Sequence, residues 1–374
     1  MRLAKTILVI CFFAFGLSVL SYAQPRFNYP TEHIKVGPQF SFQRWTLKDS
    51  LGERSIEQIF TPISVYFPVN DNLDFYFSGA SVFADLSANA ESSFGSFVDT
   101  RIRAAWKWED DWLIHAGVNL PTGKHALDDE ETRVNNAATE TVLAFPIKRP
   151  GQGLELDAGA AYAFSISEEV QAGIGVGYVL KGEYEFRKGS EQSYEPGNEF
   201  SITAGLNYRK NQFSWRSHLL LKFYSRDKID GNDAFKEGSQ LEIGSDISAP
   251  VKKARIILEA KFVHKNDNQP FDSIGPIPRP NSNYVSDSFW LTNRTIFNFT
   301  QQFSLSALLE LSKFGDSDLQ LGNATIFTYG IGFDLKTSEN LIFSALMAFA
   351  NGNAEHNEID LSGLVIQGGF SVRY

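Results

Sequence analysis

The stretch QGGFSVRY, residues 367–374, puts Phe370, Val372 and Tyr374 on one side of an extended strand and Gln367, Gly369, Ser371 and Arg373 on the other. One face is apolar and the other polar. The same period-two alternation recurs along the chain in segments of about ten residues, the length a tilted strand needs to cross a bilayer. Ile102, Ala104, Trp106 and Trp108 share a face opposite Asp99, Arg101, Arg103 and Lys107. Similar segments run over 112–120, 154–164, 170–180, 200–208, 213–223, 241–247, 254–262, 289–299, 303–311, 325–333 and 341–349.

The connections alternate in length. Short turns occur at PVNDN, EDD, SISEE, RKNQ, APVKK, TQQ and KTSEN, and longer polar stretches at 46–56, 84–96, 124–152, 181–198, 224–238, 265–287, 314–322 and 350–360. Short turns on one rim and long loops on the other belong to outer-membrane barrels, with the short side periplasmic. The predicted fold is therefore all-β: a transmembrane antiparallel β-barrel of about sixteen strands, with fourteen or twelve as alternatives. The weakest segments are 34–42, which contains Pro38, and 289–299, which points Asn293 and Thr295 toward lipid. A soluble β-sandwich or solenoid shares the alternation. Against it, Trp106, Trp108, Trp112, Phe164, Tyr208, Phe213, Trp215, Phe299, Phe303, Phe333 and Tyr374 gather where apolar faces meet the short turns, as an interfacial girdle requires.

The N-terminus agrees with export. Arg2 and Lys5 precede an apolar run over Thr6 to Leu20, and SYA (residues 21–23) supplies small residues for cleavage, so 1–23 reads as a signal peptide and 24–374 as the barrel. Cleavage would remove Cys11, the only cysteine, and with it any disulfide or thiolate chemistry. Taking Arg2 and Lys5 from the 34 basic residues leaves 32 against 44 acidic, a net charge of −12, which argues against a nucleic-acid partner. The expected location is the outer membrane of a Gram-negative bacterium, among lipid and lipopolysaccharide.

QGGFSVRY also resembles the C-terminal signal of bacterial outer-membrane proteins, carried here by Gln367, Gly369, Val372 and Tyr374. The resemblance implies that the barrel-assembly machinery pairs with this strand. In a barrel the polar faces look inward, because a charge facing lipid costs about 2–4 kcal/mol at the midplane. The expected lumen cations include Arg101, Arg103, Arg216, His218, Lys222, Arg255, Lys261, Arg294 and Arg373, and the anions Asp99, Glu155, Asp157, Glu242, Asp246, Glu259 and Glu310. Whether they select a solute or only pair across the wall stays open. The longest loop, 124–152, carries LDDEETR and then the apolar TVLAFP. Folded inward, it would set Asp128, Asp129, Glu130 and Glu131 against Arg101 and Arg103 as a constriction. Left outside, it would be a solvated loop beside lipopolysaccharide.

Before that loop, GVNLPTGKH (residues 117–125) resembles the outer-membrane transporter family associated with meta-pathway phenol degradation, through Leu120, Pro121, Thr122 and Gly123. The resemblance implies uptake of small, often aromatic or apolar compounds. An enzyme is disfavoured: the six histidines show no HExxH spacing, GxSxG is absent, and His218 and Ser217 point to opposite strand faces. GIGVGY (173–178) places small residues alternately within a strand, where they keep a lumen open or let loops pack. GPIPRP (275–280) reads as a stiff loop. The sequence thus points to a porin-like channel that passes small solutes by diffusion without a cofactor or metal. The alternative is a transporter for apolar or aromatic compounds whose lumen is blocked by loops. Selectivity would fall to Arg101, Arg103, Arg216, Arg255, Glu259, Arg294 and the acids of the 124–152 loop. Monomer and homotrimer both stay open.

Overall fold

The structure, a computed structural model, describes residues 34–88, 91–109, 111–185, 187–190, 192–270, 287–317 and 321–373. Residues 1–23, read above as a signal peptide, the GPIPRP stretch and Tyr374 lie outside the described residues.

Sixteen antiparallel strands close a barrel. Its first five are β1 (Lys35–Asp49), β2 (Gly52–Asn70), β3 (Leu73–Ser87), β4 (Glu91–Trp108) and β5 (Trp112–Leu120). The middle of the wall is β6 (Glu155–Ser165), β7 (Val170–Lys181), β10 (Glu199–Lys210), β11 (Phe213–Tyr224), β14 (Gln240–Val251) and β15 (Ala254–Lys265). It is completed by β17 (Ser288–Asn298), β18 (Phe303–Phe314), β19 (Thr325–Lys336), β20 (Leu341–Ala354) and β21 (Ile359–Arg373). β21 pairs with β1 and closes the ring, with Gln367 opposite Ser41 and Gly369 opposite Gln39. Gly369 is required there, since a Cβ would sit 2.9 Å from the Pro38 carbonyl oxygen. Val372, opposite Val36, faces outward.

The outside is apolar, as alternation dictates. Where aromatics meet the short turns, Trp106, Trp108, Trp112, Tyr162 and Phe164 form a run of ring contacts 4.9–6.4 Å between centroids. Tyr208–Phe213, Phe299–Phe303, Phe303–Phe333 and Phe343–Phe370 continue this belt at 5.8–6.5 Å. Asn293 and Thr295 do face outward from β17, and they satisfy one another through a 3.2 Å hydrogen bond. A closed, aromatic-belted barrel with an apolar exterior is an outer-membrane architecture. No described helix is long and apolar enough to cross a membrane.

Three of the stretches expected as long loops are mostly strand. Residues 46–56 hold only a tight turn between β1 and β2, most of 84–96 belongs to β3 and β4, and 350–360 is shared by β20 and β21. These strands rise above the bilayer, where their outward residues turn polar: Arg44 lies opposite Glu57, and Glu57 opposite Asp85. Alternation fades once neither face must be apolar. Three other loops build a five-stranded extracellular sheet, in the order β16 (Gln269–Pro270), β13 (Asn232–Lys236), β12 (Arg226–Ile229), β9 (Ser193–Glu195) and β8 (Tyr184–Glu185).

Candidate functional site

The 121–154 connection between β5 and β6 folds into the barrel. Its entry and exit are clamped by Asp99, which sits at a bulge where Asp99 and Thr100 of β4 oppose the single residue Gly79 of β3. The Asp99 carboxylate accepts from Gly123 N at 2.8 Å and Gln152 N at 2.7 Å, and Asp99 N donates to Pro150 O at 3.0 Å. The Thr122 hydroxyl donates to Val98 O at 3.0 Å. Gly123 is dictated by proximity: a Cβ would lie 2.2 Å from the Pro150 carbonyl oxygen. Thr122 and Gly123 of the LPTG stretch therefore launch the inward segment.

Helix α1 (Asp129–Ala138) follows, capped by Asp128, whose carboxylate accepts from Glu130 N and Glu131 N, while Glu131 accepts from Asp128 N. This capping box explains much of the acidic cluster. Those backbone bonds hold the Asp128 carboxyl below its ordinary range. Glu131 also pairs with Lys124, and Asp129 with Arg187 at 2.7 Å. Asp128 to Glu131 are not brought against Arg101 and Arg103 as a constriction: Asp128 and Glu131 cap the helix start, Asp129 pairs with Arg187, and the arginines turn to Asp157.

Beyond α1, Val142, Leu143, Phe145 and Ile147 bury themselves against the wall. Val134 and Ile147 join Phe60, Val82, Ala84 and Phe94, and the rest join inward residues of β1, β2 and β15–β21, among them Trp45, Ile56, Trp290, Ile326 and Leu361. Each fully buried aliphatic side chain stabilises this docking by about 1.5–3 kcal/mol. The backbone is matched as well. Gln58 both donates to Ile147 O at 2.8 Å and accepts from Ile147 N at 3.0 Å, Gln43 donates to Leu143 O at 2.6 Å, and Glu140 accepts from Leu321 N at 2.8 Å. Burial pushes the Glu140 carboxyl up. The segment thus lines the larger part of the circumference, from β4 through β1 and β21 to β15.

The remainder, β5–β7, β10, β11 and β14, is built differently. There a polar side chain faces a glycine across the register: Asp157 with Gly117, His115 with Gly159, Ser201 with Gly177, Thr203 with Gly175 and His218 with Gly244. A Cβ on these glycines would meet the partner side chain at 2.1–2.8 Å. The polar groups lie flat on bare backbone.

Arg101 and Arg103 converge on Asp157 of β6, at 3.6 and 2.8 Å, and His115 Nε2 lies 3.6 Å from the same carboxylate. Further along, Lys222 pairs with Glu199 at 2.9 Å, His218 with Glu242 at 3.2 Å and Arg216 with Asp246 at 2.8 Å. Arg255 donates to Ser248 at 3.4 Å, Glu259 stands opposite Asp246 in the register, and Arg294 reaches Asp334 at 4.0 Å. Asp157, buried beneath both arginines, is the organising residue that sequence spacing left as one lumen acid among several. A cavity of about 160 Å³ lies beside it, lined by Arg101, Arg103, His115, Asp157, Glu199 and Lys222 among others. No group of metal-ligating side chains occurs among the described residues.

Solved structures with a similar fold include the CymD monoaromatic hydrocarbon channel, at 11 % identity over 92 % of this chain and 89 % of that one, with a TM-score of 0.46. The COG4313 outer membrane channel from Pseudomonas putida F1 is 10 % identical over 95 % and 98 %, with a TM-score of 0.41. OprB from Pseudomonas putida, at high pH, is 8 % identical over 91 % and 94 %, with a TM-score of 0.48. No curated protein matches the chain. Residues 57–270, from the upper part of β2 into the extracellular sheet, match one family, and they contain the LPTG entry, the inward segment and the whole glycine-faced wall. The chain is an outer-membrane β-barrel that belongs to the family described as MetA-pathway of phenol degradation.

Proposed function

We propose that this barrel is an outer-membrane channel through which small solutes diffuse passively, along the part of the lumen that the 121–154 segment leaves uncovered. The observation that carries the reading is the set of polar side chains laid flat over cross-strand glycines on β5–β7, β10, β11 and β14. A lumen meant only to be filled would place volume there, since interiors are otherwise packed to crystal-like density. The solutes are small compounds with an apolar or aromatic part, in keeping with a family described by phenol degradation. Charge along the path is locally paired, so the pore filters by size and by the few exposed cationic heads rather than by one strong field.

A second reading has its own support. The inward segment is packed as a core, with Val142 and Leu143 each 1 % exposed, which suits a transporter whose lumen is blocked until the segment moves. Single-channel recording of refolded protein in a planar bilayer separates the two. Stepwise, long-lived openings are expected for the channel. A silent bilayer, with folding verified by heat-modifiable gel migration, would favour the blocked transporter.

A further inference from the structure

Lys148 of the inward segment is carried across the lumen on a rigid mount. Before it, the Ile147 backbone is bonded both ways to Gln58 of β2, and the Ile147 side chain packs with Phe60, Val82 and Phe94 of β2–β4. After it, Arg149 donates to His125 O at 2.6 Å and to Gly151 O at 3.1 Å, and its guanidinium lies 5.1 Å from the centre of the Tyr184 ring. Between these two fixed points only the four-carbon stem of Lys148 is flexible. The charges that bear on its ammonium are Lys265 and Lys261 of β15, Glu237 just before β14, and Glu140 of the segment itself. In the ring of sixteen strands β15 stands eight places from β3, diametrically opposite. Lys148 therefore projects from a segment docked on one wall toward the wall that faces it.

The side chain is exposed. Enclosure by protein, and then the Lys265 ammonium, nevertheless hold its pKa below the ordinary 10.5. Exposure together with enclosure puts the ammonium in lumen water and not on the outer surface. The acids around it are already engaged: Glu237 pairs with Lys265, and Glu140 accepts from Leu321 N at 2.8 Å. Lys261 lies 4.2 Å from the centre of the Trp290 ring, with Glu242 and Glu310 near its charge. Three ammoniums thus meet four carboxylates, and the section has no positive surplus. What distinguishes Lys148 is pairing. Among the described residues no carboxylate lies within ion-pair distance of it. Paired charges cancel over a short distance, whereas an unpaired one in a confined lumen keeps its field. We propose that Lys148 is the residue by which the lumen tells solutes of opposite charge apart, drawing small anions past it and slowing cations. The inference rests on the solute-passing reading above, to which it adds the selecting residue and the sign of the preference.

Reversal potentials of the refolded full chain test it, recorded in gradients of potassium chloride and of potassium acetate, with folding of each variant verified by gel migration. K148Q should lower the anion-to-cation permeability ratio at least about twofold, K148E should lower it further, and K148R should keep it. Cysteine chemistry supplies a second readout, because Cys11 is the only cysteine of the chain and C11S removes it. In the C11S background, K148C should react rapidly with membrane-impermeant methanethiosulfonates. A trimethylammonium adduct should restore the wild-type ratio, and a sulfonate adduct should match K148E. A conducting pore whose ratio is unchanged in K148Q and K148E would overturn the role of Lys148 and leave the channel standing. K148C that reacts only after unfolding would overturn its place in the lumen water. A wild type that is silent in both salts would overturn the diffusion reading, and this inference with it.

Discussion

At the scale of single residues, the lumen is organised by what glycine permits its neighbour to do. His115 lies over Gly159 because its ring Cε1 would otherwise be 2.4 Å from a Cβ. Replacing Gly159 with valine should therefore either push His115 into the lumen or strain the wall, at a cost of about 1–3 kcal/mol. Guanidinium unfolding in detergent reads the second effect and reduced single-channel conductance the first; a variant changed in neither would show that the wall is not tightly matched there. The sequence displayed Gly175 and Gly177 as alternating small residues within GIGVGY, but not their partners, because register pairs positions far apart in the chain. For the same reason Arg101 and Arg103 were legible as inward cations while Asp157, about fifty residues further along, was not legible as their common acid. Its place also sets the sign of a selectivity change. R101Q combined with R103Q leaves Asp157 uncompensated, so reversal potentials in a salt gradient should move toward cations, and D157N should move them toward anions. Unchanged potentials in both would take the cluster out of the ion path.

At the scale of elements, period two found the strands inside the bilayer and lost them above it. Segments 46–56 and 84–96 read as loops because outward residues such as Lys48, Ser55 and Asp85 are polar, although their backbones remain in the ladder. The extracellular sheet was illegible for a different reason, since strands such as Tyr184–Glu185 and Ser193–Glu195 are too short to show any period. Its centre is Asp227, buried at 4 % exposure, which accepts from Gly197 N at 2.8 Å and from the Tyr194 hydroxyl. Burial raises the Asp227 carboxyl above its ordinary value of 3.8, and the hydrogen bonds from Tyr194 and Gly197 only partly oppose it. A carboxyl raised in the folded state binds protons more tightly there than when unfolded, so its contribution is complete below 3.8 and lost as pH rises through the raised value. Amide exchange of Arg226–Ile229 and Asn232–Lys236, corrected for intrinsic chemistry, should show protection falling from acid toward neutral pH. In D227N, which keeps an acceptor without the charge, that slope should flatten; a slope kept in D227N would overturn its assignment to Asp227.

At the scale of the whole molecule, the barrel has two unlike stretches of inner wall, and the 121–154 segment belongs to one of them. Trp45, Ile56, Phe60, Phe94, Ile326 and Leu361 point inward where a water-filled pore would call for polar groups, and the segment is what covers them. That contrast was present in the sequence as inward apolar residues near the upper ends of β1, β2, β4, β19 and β21, but it required the strand bounds to be seen. Asp99 holds the entry and exit together, at Gly123 and Gln152, so residues 126–149 can be replaced by a short glycine-serine linker without opening the clamp. The exposed apolar part should then lose about 1.5–3 kcal/mol for each large side chain returned to water, lowering the temperature at which the gel mobility shifts. Conductance answers the separate question of where solutes pass. If the native path follows the glycine-faced wall, removal widens an existing pore, and a conducting wild type should become several-fold more conductive. If the native lumen is shut, a silent wild type should turn into an open pore on removal of the segment. Equal conductance before and after would mean that the current never ran beside the segment, and the uncovered part of the wall would no longer be the path.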